Sequence, residues 1–141
     1  MTTSIASETP ITVTAETTVR EAAQKMRAHR VSCVVVVDGR RPIGIVTDRD
    51  LALRVLAEDL RTSTTVSEVM TPDPITAPES SGMETILRLL RRSGRRHLLL
   101  VDAAGGLVEM ITHDDLVPVL QRELRNLGET IGCAVGAPEL R

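Results

Sequence analysis

Two short stretches of this chain place a threonine three residues before an aspartate: Thr47 before Asp50, and Thr112 before Asp115. At the start of a helix, this spacing forms a cap in which the hydroxyl and the carboxylate satisfy free backbone amides. The same helix start directs unpaired amides outward, which favours a bound anion. A structural role and a binding role for these residues are therefore compatible.

Basic side chains recur at helical spacing and end in the run Arg95-Arg96-His97; the earlier members are Arg88, Arg91 and Arg92. Guanidinium groups hold phosphate through charge-assisted hydrogen bonds, so this face could clamp a polyphosphate. For the earlier arginines, a solvated helix face or a partner-docking patch is the simpler interpretation. Arg95 and Arg96, just before a predicted strand, and Arg30, at an equivalent turn, are better placed to reach a binding cleft.

The motifs of the common enzyme classes are absent from the sequence. There is no GxSxG elbow, no GxxxxGK[ST] loop and no GxGxxG fingerprint. The adjacent acids Asp114 and Asp115 do not suit acid–base catalysis, because such a pair must face each other across a substrate. The three histidines lack metal-ligand spacing. We therefore expect neither catalysis, nor a metal site, nor a covalent cofactor.

Composition excludes several kinds of partner. The formal net charge is −2 and no aromatic residue occurs, so neither a polyanion nor stacked bases would be attracted. Apolar runs are far shorter than the ~20 residues that cross a bilayer, and the polar start is unlike a secretory signal. We expect a soluble, cytoplasmic protein that binds neither nucleic acid nor membrane. Cys33 and Cys133 are far apart in sequence, and a redox sensor built on them is a weaker alternative.

The chain contains an internal repeat. An offset of 64 residues aligns Pro10-Ile11-Thr12 with Pro74-Ile75-Thr76 and holds as far as Asp38 and Asp102; beyond the next turn the offset becomes 65. Each copy predicts a strand, an amphipathic helix, two strands and a second helix. Thr18 with Glu21, and Ser81 with Glu84, have the spacing of capping boxes at the first helix of each copy.

These elements predict an α/β (α+β) fold made of two β-α-β-β-α repeats. We place the first repeat at residues 1–62 and the second at 63–127, with a polar linker at 61–65. Residues 128–141 have weak periodicity, which indicates a loose C-terminal tail.

Gly44-Ile45-Val46-Thr47-x-x-Asp50 resembles the closing motif of a CBS repeat, and Val66–Pro72 is similar to the opening segment of such a repeat. The resemblance covers about residues 5–125 and identifies the chain as a tandem CBS pair, or Bateman module. It implies two repeats packed about a pseudo-twofold axis, with two clefts for adenosine compounds such as AMP, ADP, ATP or S-adenosylmethionine.

The resemblance also assigns roles to residues. Asp50 and Asp115 would hold ribose hydroxyls, and Thr47 and Thr112 would reach ribose or phosphate. The backbone of Ile11, Thr12 and Val13, and that of Ile75, Thr76 and Ala77, would contact adenine. The further candidate ligand-binding residues are Arg30, Arg49, Arg95, Arg96 and His113.

The sequence departs from the family pattern at three positions. Glu109 replaces the glycine of the second motif, and Val35 and Leu99 replace a proline that is usual in the middle strand. An acid beside a cleft disfavours phosphate. We therefore favour the Thr47/Asp50 cleft, where Gly44 permits close backbone approach and Arg49 adds a cation.

The resemblance implies a regulatory sensor that binds an adenosine nucleotide and signals by a conformational shift to an unknown protein partner. It also implies a homodimer. The residues expected at the dimer contact are Leu51, Leu53, Val55, Leu56, Leu116, Val117, Val119 and Leu120. The alternative is a ligand-free interaction scaffold whose clefts are vestigial.

Overall fold

The computed structural model describes the backbone of residues 9–134 and the side chains of residues 9–132. Its elements confirm the α+β fold of two β-α-β-β-α repeats. In the first half they are β1 (Thr12–Thr14), α1 (Val19–His29), β2 (Cys33–Asp38), β3 (Arg41–Thr47), α2 (Asp48–Leu51) and a π-helical turn (Ala52–Leu56). Next come α3 (Val66–Val69), β4 (Thr71–Pro72), β5 (Thr76–Pro78), α4 (Met83–Ser93), β6 (His97–Val101), β7 (Leu107–Thr112) and α5 (His113–Ala134).

The first three strands of the first sheet have the same topology as the three strands of the second, as the internal repeat predicts. The first has the order β1-β2-β3-β4 and the second β5-β6-β7. In each, the first two strands are parallel and the next pair is antiparallel. Thr12 pairs with Val35, and Thr76 pairs with Leu99, so the register of the parallel pair repeats at the offset of 64. The strands β2 and β6 lie inside their sheets, as their apolar sequences indicate.

The two first helices begin differently. Thr18 and Glu21 form the predicted capping box of α1, each accepting a hydrogen bond from the other's backbone N–H. The predicted box at Ser81 is wrong, because α4 begins at Met83 with Gly82 as its cap and Ser81 lies one residue too early. Both helices end in a left-handed residue, which is Arg30 in α1 and Gly94 in α4.

The segment at residues 66–72 opens the second repeat. It packs on the first repeat. Val66 and Val69 of α3 are buried in the core of the first repeat. Thr71 and Pro72 of β4 pair with β3. The opening segment of the second repeat thus adds a fourth strand to the first sheet.

A third cluster of buried side chains joins the two sheets. Its members are Cys33, Val35, Ile45 and Leu99, and Val35 and Leu99 are completely buried. These are the two positions where the family pattern has proline. Their branched side chains therefore fill the core that the repeats share.

The helix α5 extends well beyond the second repeat. It continues to Ala134, so the predicted loose tail begins as a helix and only residues 135–141 of it lie outside the described part. Several of the residues expected at a dimer contact serve the fold instead: Val55, Leu116 and Val119 are buried, and Leu51 packs against the first core. The exposed members of that set are Leu53, Leu56, Val117 and Leu120.

Candidate functional site

A cleft of about 380 Å³ lies between the two repeats. Five of the predicted ligand-binding residues line it: Thr47 and Asp50 from the first repeat, and Ile75, Arg95 and Arg96 from the second. The other lining residues are Ile45, Thr71, Pro74 and His97. The structure thus brings together residues up to 52 positions apart in sequence, and the cleft contains both acidic and basic side chains.

Asp50 and Thr47 cap the short helix α2 in the predicted way. Asp50 Oδ2 accepts the Thr47 N–H at 2.9 Å, and Thr47 Oγ1 accepts the Asp50 N–H at 3.1 Å. The Asp50 side chain is only 16% exposed. Because the cap uses Oδ2, the oxygen left to accept a hydrogen bond from a ligand hydroxyl is Oδ1.

Arg54 connects Asp50 to the segment at residues 66–72. Its Nε lies 3.7 Å from Asp50 Oδ1, and its Nη1 donates to the Val69 carbonyl at 2.7 Å and to Thr71 Oγ1 at 3.3 Å. Arg54 is not among the candidates from the sequence, although it follows Asp50 at the i, i+4 spacing of a helical ion pair. Arg54 therefore fixes two walls of the cleft relative to each other.

The basic side of the cleft is formed where α4 gives way to β6. Arg95 and Arg96 are exposed at this junction, and Arg95 Nη1 lies 3.4 Å from the Asp73 carbonyl. His97, which the sequence groups with these arginines as a possible phosphate clamp, is half-buried. Burial lowers the pKa of His97, the Arg96 guanidinium lowers it further, and the Asp50 carboxylate opposes both effects. The neutral imidazole is thus favoured, and the two arginines carry the positive charge.

The second Thr-x-x-Asp motif forms a similar cap in more acidic surroundings. Asp115 Oδ2 accepts hydrogen bonds from the Thr112 N–H at 2.9 Å and from the Thr112 hydroxyl at 3.0 Å. Burial raises the pKa of Glu109, and the nearby Asp115 carboxylate raises it further. Two carboxylates close to each other would repel a phosphate there.

The remaining predicted residues lie elsewhere. Arg30 and Arg49 are not among the described residues that line the cleft. His113 instead borders a groove between α4 and α5. Thr76 lies in a neighbouring cavity that shares Pro74 with the cleft, and Thr12 lies in a further cavity beside the β2–β3 turn.

The backbone positions expected to contact adenine already take part in the fold. The Ile75 carbonyl accepts the Leu99 N–H at 2.8 Å, and the Ile11 carbonyl accepts the Val35 N–H at 2.9 Å. The side chains of Val13 and Ala77 are buried in the cores of their own repeats. In the cleft, therefore, Ile75 presents its side chain rather than a free carbonyl.

Between residues 9 and 132, no group of three or more histidine, cysteine, aspartate or glutamate side chains is arranged to hold a metal ion. Within the described part of the chain, no helix has the length and apolar character needed to span a bilayer.

Comparison with known proteins shows where related repeats occur. The CBS domain profile matches the chain twice, over residues 3–57 and 66–122. A CBS domain protein of Pyrobaculum aerophilum, solved in complex with AMP, superposes with a TM-score of 0.73 at 26% identity, over 82% of this chain and 89% of that one. The CBS domain pair of MJ0100, solved with 5′-methylthioadenosine and S-adenosyl-L-methionine, gives 0.69 at 26% identity, over 79% and 91%.

Curated relatives include both small and large proteins. The CBS domain-containing protein YhcV of Bacillus subtilis is 34% identical over 105 residues, which is 74% of each chain. The chain spans only 52% of the first curated relative that it matches and 21% of the second, an inosine-5′-monophosphate dehydrogenase. The repeat is thus found both in short proteins and as part of an enzyme.

Proposed function

We infer from the membership of this chain in the CBS domain family, which the two matches establish, that it is a regulatory module for an adenosine nucleotide. The nucleotide binds in the Thr47/Asp50 cleft and favours one relative arrangement of the two repeats. A protein partner then responds to the altered surface. We propose further that the module is a homodimer that acts in the cytoplasm.

The observation that carries this proposal is that both repeats contribute to one cleft. Thr47 and Asp50 belong to the first repeat, whereas Ile75, Arg95 and Arg96 belong to the second. A ligand in contact with both sides has different contacts in each arrangement of the repeats, and only such a ligand can shift their populations. Asp50 Oδ1 is placed to accept a ribose hydroxyl, and Ile75 offers apolar surface to the base.

The charges of the cleft favour a phosphorylated ligand over S-adenosylmethionine. Arg95 and Arg96 of the second repeat line the same cleft as Asp50 of the first repeat. Guanidinium binds phosphate oxygens strongly, whereas it repels a sulfonium cation. AMP, ADP and ATP are therefore the proposed ligands of this chain, although relatives were solved with AMP in one case and with S-adenosyl-L-methionine in another.

The test is calorimetric titration of the purified protein with AMP, ADP, ATP and S-adenosylmethionine. We expect saturable binding of at least one phosphorylated ligand, and weaker or no binding of S-adenosylmethionine. Asp50→Asn should weaken nucleotide binding by about tenfold or more, because the hydrogen bond to a charged acceptor is lost. Replacing Arg95 and Arg96 with glutamine should weaken binding of ATP more than binding of adenosine.

Asp115→Asn is the matched control, because it changes the same residue in the same kind of cap. It should leave nucleotide binding unchanged. Equal losses for both variants would contradict the assignment to the Thr47/Asp50 cleft. No binding of any of the four compounds would favour the alternative, an interaction scaffold without a ligand.

A further inference from the structure

Large apolar side chains lie exposed along one stripe of α5. They follow each other at alternating spacings of three and four residues: Val117, Leu120, Leu124, Leu127 and Ile131. Their exposed fractions are 49%, 37%, 68%, 55% and 52%. We refer to these five residues as the α5 stripe.

The α5 stripe is separate from the face of α5 that builds the fold. Leu116 and Val119 are the residues of α5 that enter the core of the second repeat. From residue 121 to residue 132 every described side chain is exposed. The last three residues of the stripe therefore lie on a part of the helix that no described part of the chain covers. Leaving them in water has a free-energy cost that burial against a partner would remove.

The spacing of the stripe is that of a heptad repeat, with an average of 3.5 residues. Val117, Leu124 and Ile131 take the first apolar position, and Leu120 and Leu127 take the second. Such a seam fits a second helix with the same period, whose side chains enter the holes between its own. A β-branched residue at the first position with leucine at the second favours two parallel strands, and Val117 and Ile131 fit this pattern whereas Leu124 does not.

The residues beside the stripe also favour a parallel pair of identical helices. The positions that flank it hold Gln121 and Gly128 on one side, and Glu123 and Thr130 on the other. In a parallel pair, Glu123 lies opposite Gly128 of the other helix. In an antiparallel pair, the two Glu123 side chains would lie on the same side, where like charges repel each other.

We propose that two copies of this chain pair through parallel contact of their α5 stripes. This contact is the interface of the proposed homodimer, so the inference rests on that part of the proposed function. It does not require nucleotide binding, and the two can be tested separately.

Sedimentation velocity of the full chain over a range of concentrations tests the pairing. The unmodified protein should sediment at about twice the chain mass of 15.3 kDa. Leu127→Glu should sediment as a monomer, because it places a carboxylate in the apolar seam. Asn126→Glu is the matched control: it adds the same charge to the adjacent exposed residue outside the stripe, and it should remain a dimer. A monomeric unmodified protein, or a Leu127→Glu protein that remains a dimer, would overturn the proposal.

Discussion

At the scale of single residues, Asp50 divides its two carboxylate oxygens between the fold and the cleft. Oδ2 accepts the Thr47 N–H, and Oδ1 is shared with Arg54 at 3.7 Å. This division is the reason for preferring Asp50→Asn to Asp50→Ala as a test. An asparagine can keep the bond to Thr47 while it removes the charge, whereas alanine would remove the cap as well, which costs about 1 kcal/mol.

His97 carries a pH prediction at the same scale. Its pKa lies below the ordinary 6.5, first because of burial and then because of Arg96; His113 acts in the same direction, and Asp50 and Asp115 oppose it. Above pH 6.5 the imidazole is neutral in both the folded and the unfolded state. As the pH falls below 6.5, the unfolded state takes up the proton first, so the free energy of unfolding decreases.

We expect His97→Asn to lose less stability than the unmodified protein when the pH is lowered from 7.5 to 5.5. Urea denaturation at the two pH values measures this difference. His29→Asn, at the exposed end of α1, should behave like the unmodified protein. An identical loss of stability in His97→Asn and the unmodified protein would show that His97 does not cause the pH dependence.

The surroundings of Cys33 argue against its role as a redox sensor. Burial raises the pKa of its thiol to about 11, and the nearby Asp48 carboxylate contributes in the same direction. Because the thiolate is the reactive form, Cys33 is a poor redox sensor at neutral pH. Its Sγ packs 3.7 Å from Met110 Sδ in the core between the sheets.

At the scale of elements, β4 packs so close to β3 that position 44 requires a glycine. Gly44 pairs with Pro72 of β4. A Cβ at Gly44 would overlap the sulfur of Met70 and would lie 3.2 Å from the Thr71 carbonyl oxygen. The sequence suggests a close approach of a ligand at Gly44, whereas in the structure Met70, Thr71 and Pro72 make that approach.

Gly44→Ala should therefore lower the free energy of unfolding by about 1–3 kcal/mol, the usual cost of an overpacked site. Chemical denaturation measures the change. Gly128→Ala makes the same substitution where no described atom lies within 4 Å of the new Cβ, and it should not destabilise the protein. If Gly44→Ala is as stable as the unmodified protein, then β4 does not need the close approach at Gly44.

At the scale of the whole molecule, the two repeats are joined by a shared core and by a polar contact at the turns. Arg40 donates to the Asp102 carboxylate at 2.8 Å, and the Leu107 N–H donates to the Arg40 carbonyl at 2.7 Å. The Gly106 N–H, with help from Arg40, holds the pKa of Asp102 below its usual value. Because the ion pair is exposed, its contribution to stability is small. The core around Leu99 is therefore the stronger link.

Leu99→Ala should lower the free energy of unfolding by about 2–5 kcal/mol and should destabilise both repeats together. Leu99 is fully buried between the two sheets, so the cavity that the substitution leaves would border both sheets. Denaturation should keep a single transition, and hydrogen exchange should become faster in both β2 and β6. Leu53→Ala, at a side chain that is 52% exposed, is the control. Faster exchange confined to β6 would indicate that the repeats unfold independently.

The sequence alone determined the features that depend on local pattern. The offset of 64 residues, the alternation of strands and helices, and the caps at Thr18 and Thr47 follow from side-chain periodicity and from hydrogen bonds between near neighbours. These features also located Asp50, Arg95 and Arg96 at element ends, where side chains are free to contact a ligand.

Only the tertiary structure decided which of these ends meet. It brought Asp50 of one repeat and Arg96 of the other to one cleft, and it paired Thr71 and Pro72 with the first sheet. It also added Arg54 to the site and extended α5 beyond the predicted boundary. The physical reason is that packing between repeats joins residues far apart in sequence through surface complementarity, which leaves no periodic signal along the chain.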